Sequence, residues 1–201
     1  MHCNIKSNCM RLIYAKGDKV ERKFETYKNV APIPCRNFHG VLCKMGGMEI
    51  SMDRNLEKAI IHFFERDRFA QYVGIELTSV EPGFAAARME IAEKHLNGLN
   101  IVQGGAIYTL ADFAFAAATN SSGLATVGIN TSITYIKAPS GKYLTAEARE
   151  ISSGKKICGC DVSIMDEDGS IIAKFMGTGY RKNLAIDFIA GKVSPIANKP
   201  V

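Results

Sequence analysis

A chain of 201 residues and 21.9 kDa, 47% hydrophobic with a mean hydropathy near zero, suits one soluble domain with a sizeable core. No apolar run approaches the roughly 18 residues that span a bilayer, and the first residues lack the apolar block of a signal peptide, so no membrane partner and a cytoplasmic location are expected. The net charge of +5 belongs to residues 1–51, with nine Lys+Arg against four Asp+Glu, while residues 52–182 hold fourteen against fifteen and residues 183–201 two against one; this excludes nucleic acid, which would need basic charge on the folded surface.

Residues 1–51 show no sustained period and read as a poorly ordered N-terminal extension, dispensable for fold and activity. Met48 and Met52 stand just before the first periodic segment, and the natural chain is expected to begin at one of them. Asp53 is a plausible N-cap for one amphipathic helix, "RNLEKAIIHFFERDRFA", with Leu56, Ile60, Phe63 and Phe64 on one stripe. Two strands follow, "YVGIELTSVE" and "FAAARMEIAE", joined at Pro82-Gly83. A second helix runs from Gly104 to Thr119, rich in alanine, with Ile107, Leu110 and Phe115 directed to the core. Four more strands complete a meander: Val127 to Tyr135, "YLTAEAREIS", "KICGCDVSIMD" and "SIIAKFMGTGYR", with turns at Ser153-Gly154 and Asp168-Gly169. A sheet of six strands with one internal helix packs best by wrapping that helix, in an α+β domain over residues 52–182 whose open edges and second face call for another copy. Residues 183–201 form a short tail that covers a sheet edge or adds a contact in an assembly.

Six cysteines, at 3, 9, 35, 43, 158 and 160, match no Cys-x-x-Cys pair, so neither a metal site nor a disulfide framework is expected. Cys158 and Cys160 alternate on a strand and read as small buried hydrophobes.

One carboxylate stands out. From His95 to Ile136 the sole charged side chain is Asp112, although Asp, Glu, Lys and Arg make up 22% of the chain. Charge has been cleared from around it, which suggests a dry site.

The run "LNGLNIVQGGAIYTLADFAFAAATNSSG" followed by "ITYIKAPSGKYLTAEARE" resembles the hotdog-fold acyl-CoA thioesterases of the phenylacetic acid degradation (PaaI-like) family, in the 4-hydroxybenzoyl-CoA thioesterase superfamily, over about residues 54–182. That family carries an Asn, six residues later a His-Gly-Gly, and nine residues after the His an Asp on the central helix. Asn97, Gly104, Gly105 and Asp112 stand at those places, and Gln103 replaces the His. The resemblance implies a curved antiparallel sheet around a long helix, a homo-oligomer (dimer or dimer of dimers), and hydrolysis of an acyl-CoA to free acid and coenzyme A.

The chemistry of these residue types agrees. Gly104 and Gly105 open a helix, where glycine allows close backbone approach and the free N–H groups at the positive end of the helix dipole form an oxyanion hole. Asp112, eight residues on, lies about 12 Å along the axis at 1.5 Å per residue, so one site would combine the helix start of one subunit with Asp112 of the other. Asp112 acts as general base on water or as direct nucleophile; the sequence leaves both open. Gln103 donates its amide to the thioester carbonyl in place of an imidazole, and Asn97 orients the water or the carboxylate. Gly105, Tyr108, Asn130 and Thr131 are candidate substrate-binding residues, and Lys155 and Lys156 candidates for the phosphates of coenzyme A. No separate cofactor is expected, since coenzyme A is part of the substrate. Phe113, Phe115 and Tyr108 around Asp112 fit a medium-length or aromatic acyl group. His95 and His62 read as incidental.

Two other functions fit the same fold. A non-catalytic acyl-CoA sensor would keep the pocket without the chemistry, and Gln103 is the residue that favours it. A hydratase or dehydratase would bring a His to the substrate, where this chain has Gln103.

Overall fold

The computed structural model describes residues 54–196. Asp53, the extension 1–51 and both candidate start methionines, Met48 and Met52, lie outside the described residues. The first described element is helix α1 (Arg54–Phe64), whose Ile60 is fully buried and whose Leu56, Phe63 and Phe64 pack against the core. The single helix expected here is in fact two. The chain breaks at Asp67, whose carboxylate accepts the N–H groups of Phe69 and Ala70, both at 3.0 Å, and thereby caps a new helix α2 (Arg68–Val73). Gly74, at φ 86°, ends α2 in the left-handed conformation that a glycine adopts without strain.

Strands β1 (Ile75–Glu81) and β2 (Phe84–Glu90) form the expected hairpin, and a 3-10 turn (Glu93–His95) leads to a loop and then to helix α3 (Gly104–Asn120). The remaining strands are β3 (Leu124–Tyr135), β4 (Tyr143–Ser153), β5 (Ile157–Asp166), β6 (Ile171–Asp187) and β7 (Lys192–Pro195). All pairings are antiparallel, in the order β1-β2-β4-β5-β6-β3, with β7 beside the end of β6.

The sheet wraps α3 as expected. Leu110, Ala111, Ala114 and Ala117 have no exposed surface, and inward residues of β2, β4 and β5 such as Ala87, Met89, Ala146, Ala148, Val162 and Ile164 meet them. The alanines of α3 are half of the reason the layers approach so closely. The other half is glycine in the sheet. A Cβ at Gly177 of β6 would sit 2.7 Å from the Phe115 ring, and one at Gly128 of β3 would sit 3.2 Å from it. Phe115 fills the space these glycines leave and tilts against Phe175, with ring centroids 5.9 Å apart.

Cys158 and Cys160 point inward from β5, fully buried, and burial first of all pushes both thiols up, Cys160 to about 12. They are apolar packing, not nucleophiles.

β6 runs past residue 182 to Asp187, so the boundary expected there falls inside a strand. The segment after it turns back as β7 and anchors α1: Phe188 is buried edge-to-face on Phe63, centroids 5.3 Å apart, and Arg66 reaches the Gly191 carbonyl at 3.4 Å. Among the described residues no helix is long and apolar enough to cross a membrane.

Candidate active site

Helix α3 begins where the backbone has no room for a side chain. A Cβ on Gly104 would lie 3.0 Å from Tyr135 Cζ, and the Tyr135 hydroxyl, carried by β3, donates to the Gly104 carbonyl at 2.8 Å. Partial burial raises the Tyr135 phenol above its ordinary value, and Tyr108 adds to this, so the donor keeps its proton at neutral pH. A Cβ on Gly105 would lie 2.6 Å from Gln103 Oε1, which accepts the Gly105 N–H as the N-cap of the helix. The Ala106 and Ile107 N–H groups both turn to the Gln103 carbonyl, at 3.0 and 3.4 Å. The first turn therefore has one amide left over, that of Gly104, at the positive end of a 17-residue helix.

This arrangement changes two expected roles. Gly105 holds the cap and its N–H is not available to a substrate. Gln103 also turns its amide oxygen inward on the cap, which leaves Nε2 as the half that can donate outward.

The loop before α3 is closed by its own backbone. Gln103 N–H donates to the His95 carbonyl at 2.8 Å, and Leu96 bridges Val102. Asn97 Oδ1 accepts the N–H groups of Leu99 and Ile101 at 2.9 and 3.4 Å, so it shapes the loop, and only its Nδ2 remains to meet a water or a carboxylate. Asn100 adopts a left-handed φ of 56° at the tip. Leu99 and Ile101 project from this loop into solvent, 79% and 44% exposed.

Asp112 is exposed in the single chain, on the outward stripe of α3 that also carries Gly105 and the half-buried Thr109 and Ala116. The dryness expected around it is thus not supplied by its own subunit alone. Even so, partial burial raises its carboxyl above the ordinary value, and the Asp67 carboxylate at the start of α2 raises it further. The neighbouring aromatics divide. Phe115 is core and cannot touch an acyl group, whereas Phe113 packs edge-to-face on Phe64 and walls an open cleft of about 520 Å3 with Ile61, Gln71, Ile75, Leu77 and the carboxylate-bearing Glu65 and Glu76.

Tyr108 and Thr131 join their hydroxyls across from α3 to β3, and the Tyr108 ring stacks edge-on to Phe175. Asn130 is exposed beside a bulge in β3. Lys155 and Lys156 are exposed in the β4–β5 turn, which Arg181 holds through the carbonyls of Gly154 and Lys156 and through Glu150. Among the described residues no cluster of His, Cys, Asp and Glu could hold a metal ion.

Residues 99–173 match the model of the thioesterase superfamily. The acyl-coenzyme A thioesterase PaaI of Escherichia coli K12 is 35% identical over 119 residues, 59% of this chain and 85% of that protein. The chain belongs to the thioesterase superfamily. Its fold is the hotdog fold of that superfamily: the solved E. coli PaaI superposes with a TM-score of 0.59 at 32% identity, over 63% of this chain and 96% of that one. A hypothetical thioesterase protein of Streptococcus pneumoniae TIGR4, solved with coenzyme A, matches at a TM-score of 0.56 and 26% identity, over 61% of this chain and 96% of that one.

Three residues at the candidate site carry only faint signals, or none, in the sequence. Tyr135 had a signal in its parity with Ile133 and Thr131, which put it on the helix side of β3. Asp67 had one in its place two residues before Phe69 inside a helical pattern. His95 has none in the sequence, yet it is only 4% exposed.

Proposed function

We propose that this protein is an acyl-CoA thioesterase that works as a homodimer or a dimer of dimers in the cytoplasm. The observation that carries the reading is the Gly104 N–H, without a partner among the described residues at the N-terminus of α3, on a residue whose carbonyl Tyr135 holds. A thioester carbonyl oxygen that accepts this N–H, with Gln103 Nε2 as a second donor, is polarised, and the negative charge that develops on it is stabilised by donors already in place. Asp112 in its ionised form takes a proton from water as the water attacks the carbonyl carbon, or attacks that carbon itself. When water attacks, collapse breaks the C–S bond, the proton taken up by Asp112 passes to the leaving thiolate, and coenzyme A and the free acid depart. When Asp112 attacks, collapse expels the coenzyme A thiolate and leaves a transient anhydride on Asp112. Water then hydrolyses the anhydride to the free acid and the Asp112 carboxylate, its released proton going to the thiolate.

Asp112 and Gly104 stand eight residues apart on one helix, about 12 Å at 1.5 Å per residue, too far to share one carbonyl. Two features support completion by a second copy. β3 is a long edge strand paired on one side to β6, with Val127 and Ile129 exposed on it and Ile136 exposed just past its end, and the outward stripe of α3 has small residues on either side of Asp112. A sheet continued through β3 would face the two helices and dry Asp112. Lys155 and Lys156, exposed and in no ion pair among the described residues, suit the phosphates of coenzyme A.

The test is steady-state hydrolysis of a panel of acyl-CoAs of differing chain length, followed by thiol release, with the oligomeric state measured alongside. Thiol release that depends on Asp112 is the expected result. Tight binding of acyl-CoA with no release would leave the sensor function instead.

A further inference from the structure

We propose that His95 is a positioning residue for thioester hydrolysis: its imidazole ties the C-terminus of α2 to the base of the 95–103 loop and so sets where the Gly104 N–H stands. The proposal rests on the thioesterase reading for its kinetic consequence and on the structure alone for the tie.

Three elements meet at this ring. The last carbonyls of a helix lack partners within it, and in α2 two of them are taken by one dipeptide: Lys94 Nζ donates to the Tyr72 carbonyl at 2.5 Å and His95 Nε2 donates to the Val73 carbonyl at 2.7 Å. On its other side, His95 Nδ1 accepts the Ala92 N–H at 2.9 Å. A donor at Nδ1 and an acceptor at Nε2 define the neutral ring with its proton on Nε2. A ring that is 4% exposed and bonded at both nitrogens has one orientation.

The same residue's carbonyl accepts the Gln103 N–H at 2.8 Å, and Gly104 is the next residue. The path from the imidazole to the oxyanion donor thus runs through one backbone hydrogen bond and one peptide, with no flexible segment between. Packing alone would be served by an apolar side chain of similar size. Here a polar ring is buried to make two directional bonds to two different elements, and a displacement of about 1 Å at a catalytic donor can cost on the order of a hundredfold in rate.

The two nitrogens can be separated by substitution in the full chain. In His95→Asn, the shorter amide can still accept from Ala92 but does not reach Val73. In His95→Gln, the longer amide reaches the Val73 carbonyl. His95→Asn is expected to lower kcat about tenfold or more with KM within about threefold, and to speed amide hydrogen exchange in residues 97–105; His95→Gln is expected to keep kcat within about threefold of wild type and to keep the protection. Wild-type kcat in His95→Asn overturns the proposal, and so does a kcat loss there without faster exchange in the loop. If His95→Asn does not fold, a tenfold loss in a folded His95→Gln overturns it, and failure of both to fold assigns His95 to stability alone. A wild-type protein that hydrolyses no acyl-CoA would sink the thioesterase reading, while the exchange comparison would still judge the tie.

Discussion

The Tyr135 hydroxyl crosses from the end of β3 to the carbonyl of Gly104 at 2.8 Å, so the edge strand of the sheet and the first residue of the central helix are joined by a hydrogen bond. Any second copy that extends the sheet through β3 would act on the strand that holds the oxyanion donor. Tyr135→Phe removes this bond and keeps the ring; about 0.5–1.5 kcal/mol is the usual worth of such a bond, so kcat should fall by roughly two- to tenfold. Gly104→Ala should cost more, because its methyl would stand 3.0 Å from the Tyr135 ring and one of the two must move. Steady-state kinetics on both variants checks the order; equal activity in Gly104→Ala and wild type would show that the tight approach is not needed.

Asp112→Asn should abolish turnover and leave acyl-CoA binding largely intact, since binding rests on other groups. Calorimetric titration with a non-hydrolysable acyl-CoA analogue separates the two effects. Turnover at the wild-type level would remove Asp112 from the chemistry.

The pH profile has a worked sign. Asp112 acts in its ionised form, and partial burial together with the Asp67 carboxylate raises its pKa, so activity should fall with acid at a pH above that of an ordinary carboxylate. Asp67→Asn keeps a side-chain oxygen to cap α2 and removes the charge. The acidic limb should then move to lower pH with the fold unchanged. A limb that stays in place would mean that Asp67 does not sense Asp112 in the assembled enzyme.

Gln103 carries two functions in one side chain. Gln103→Ala loses the cap on Gly105, worth about 0.5–2 kcal/mol of stability, and the Nε2 donor, worth about 1–3 kcal/mol in the barrier. Gln103→His should retain activity and add a second limb near pH 6.5, the ordinary imidazole value. Unchanged rates and an unchanged profile in both variants would leave the Gly104 N–H as the lone donor.

Phe188→Ala should lower stability by about 3–5 kcal/mol, because the ring is buried against Phe63 and its loss opens a cavity under α1. Thermal unfolding checks the loss. A truncation after Lys182 should do more harm, since it cuts β6 short of Asp187 and removes β7.

Much of this was legible along the chain because the signals were local. Alternation in "YLTAEAREIS" and "KICGCDVSIMD" marked strands, the alanines from Ala106 to Ala118 marked a helix to be wrapped, and the spacing of Asn97, Gly104 and Asp112 led to the thioesterase resemblance. These patterns repeat every two or every 3.6 residues, and a window of a dozen residues contains them whole. What the tertiary structure decided joins residues far apart in the chain. Tyr135 meets Gly104, Gly177 makes room for Phe115, Phe188 anchors Phe63, and the His95 ring closes on Val73. Even the break at Asp67, local as it is, depended on which of two competing bonds its carboxylate would make, to a continuing helix or to the start of a new one. Hydrogen-bond partners are set by distance and direction in space, and a linear pattern carries neither, so the residues that hold the candidate site in place became visible only once the sheet had closed around α3.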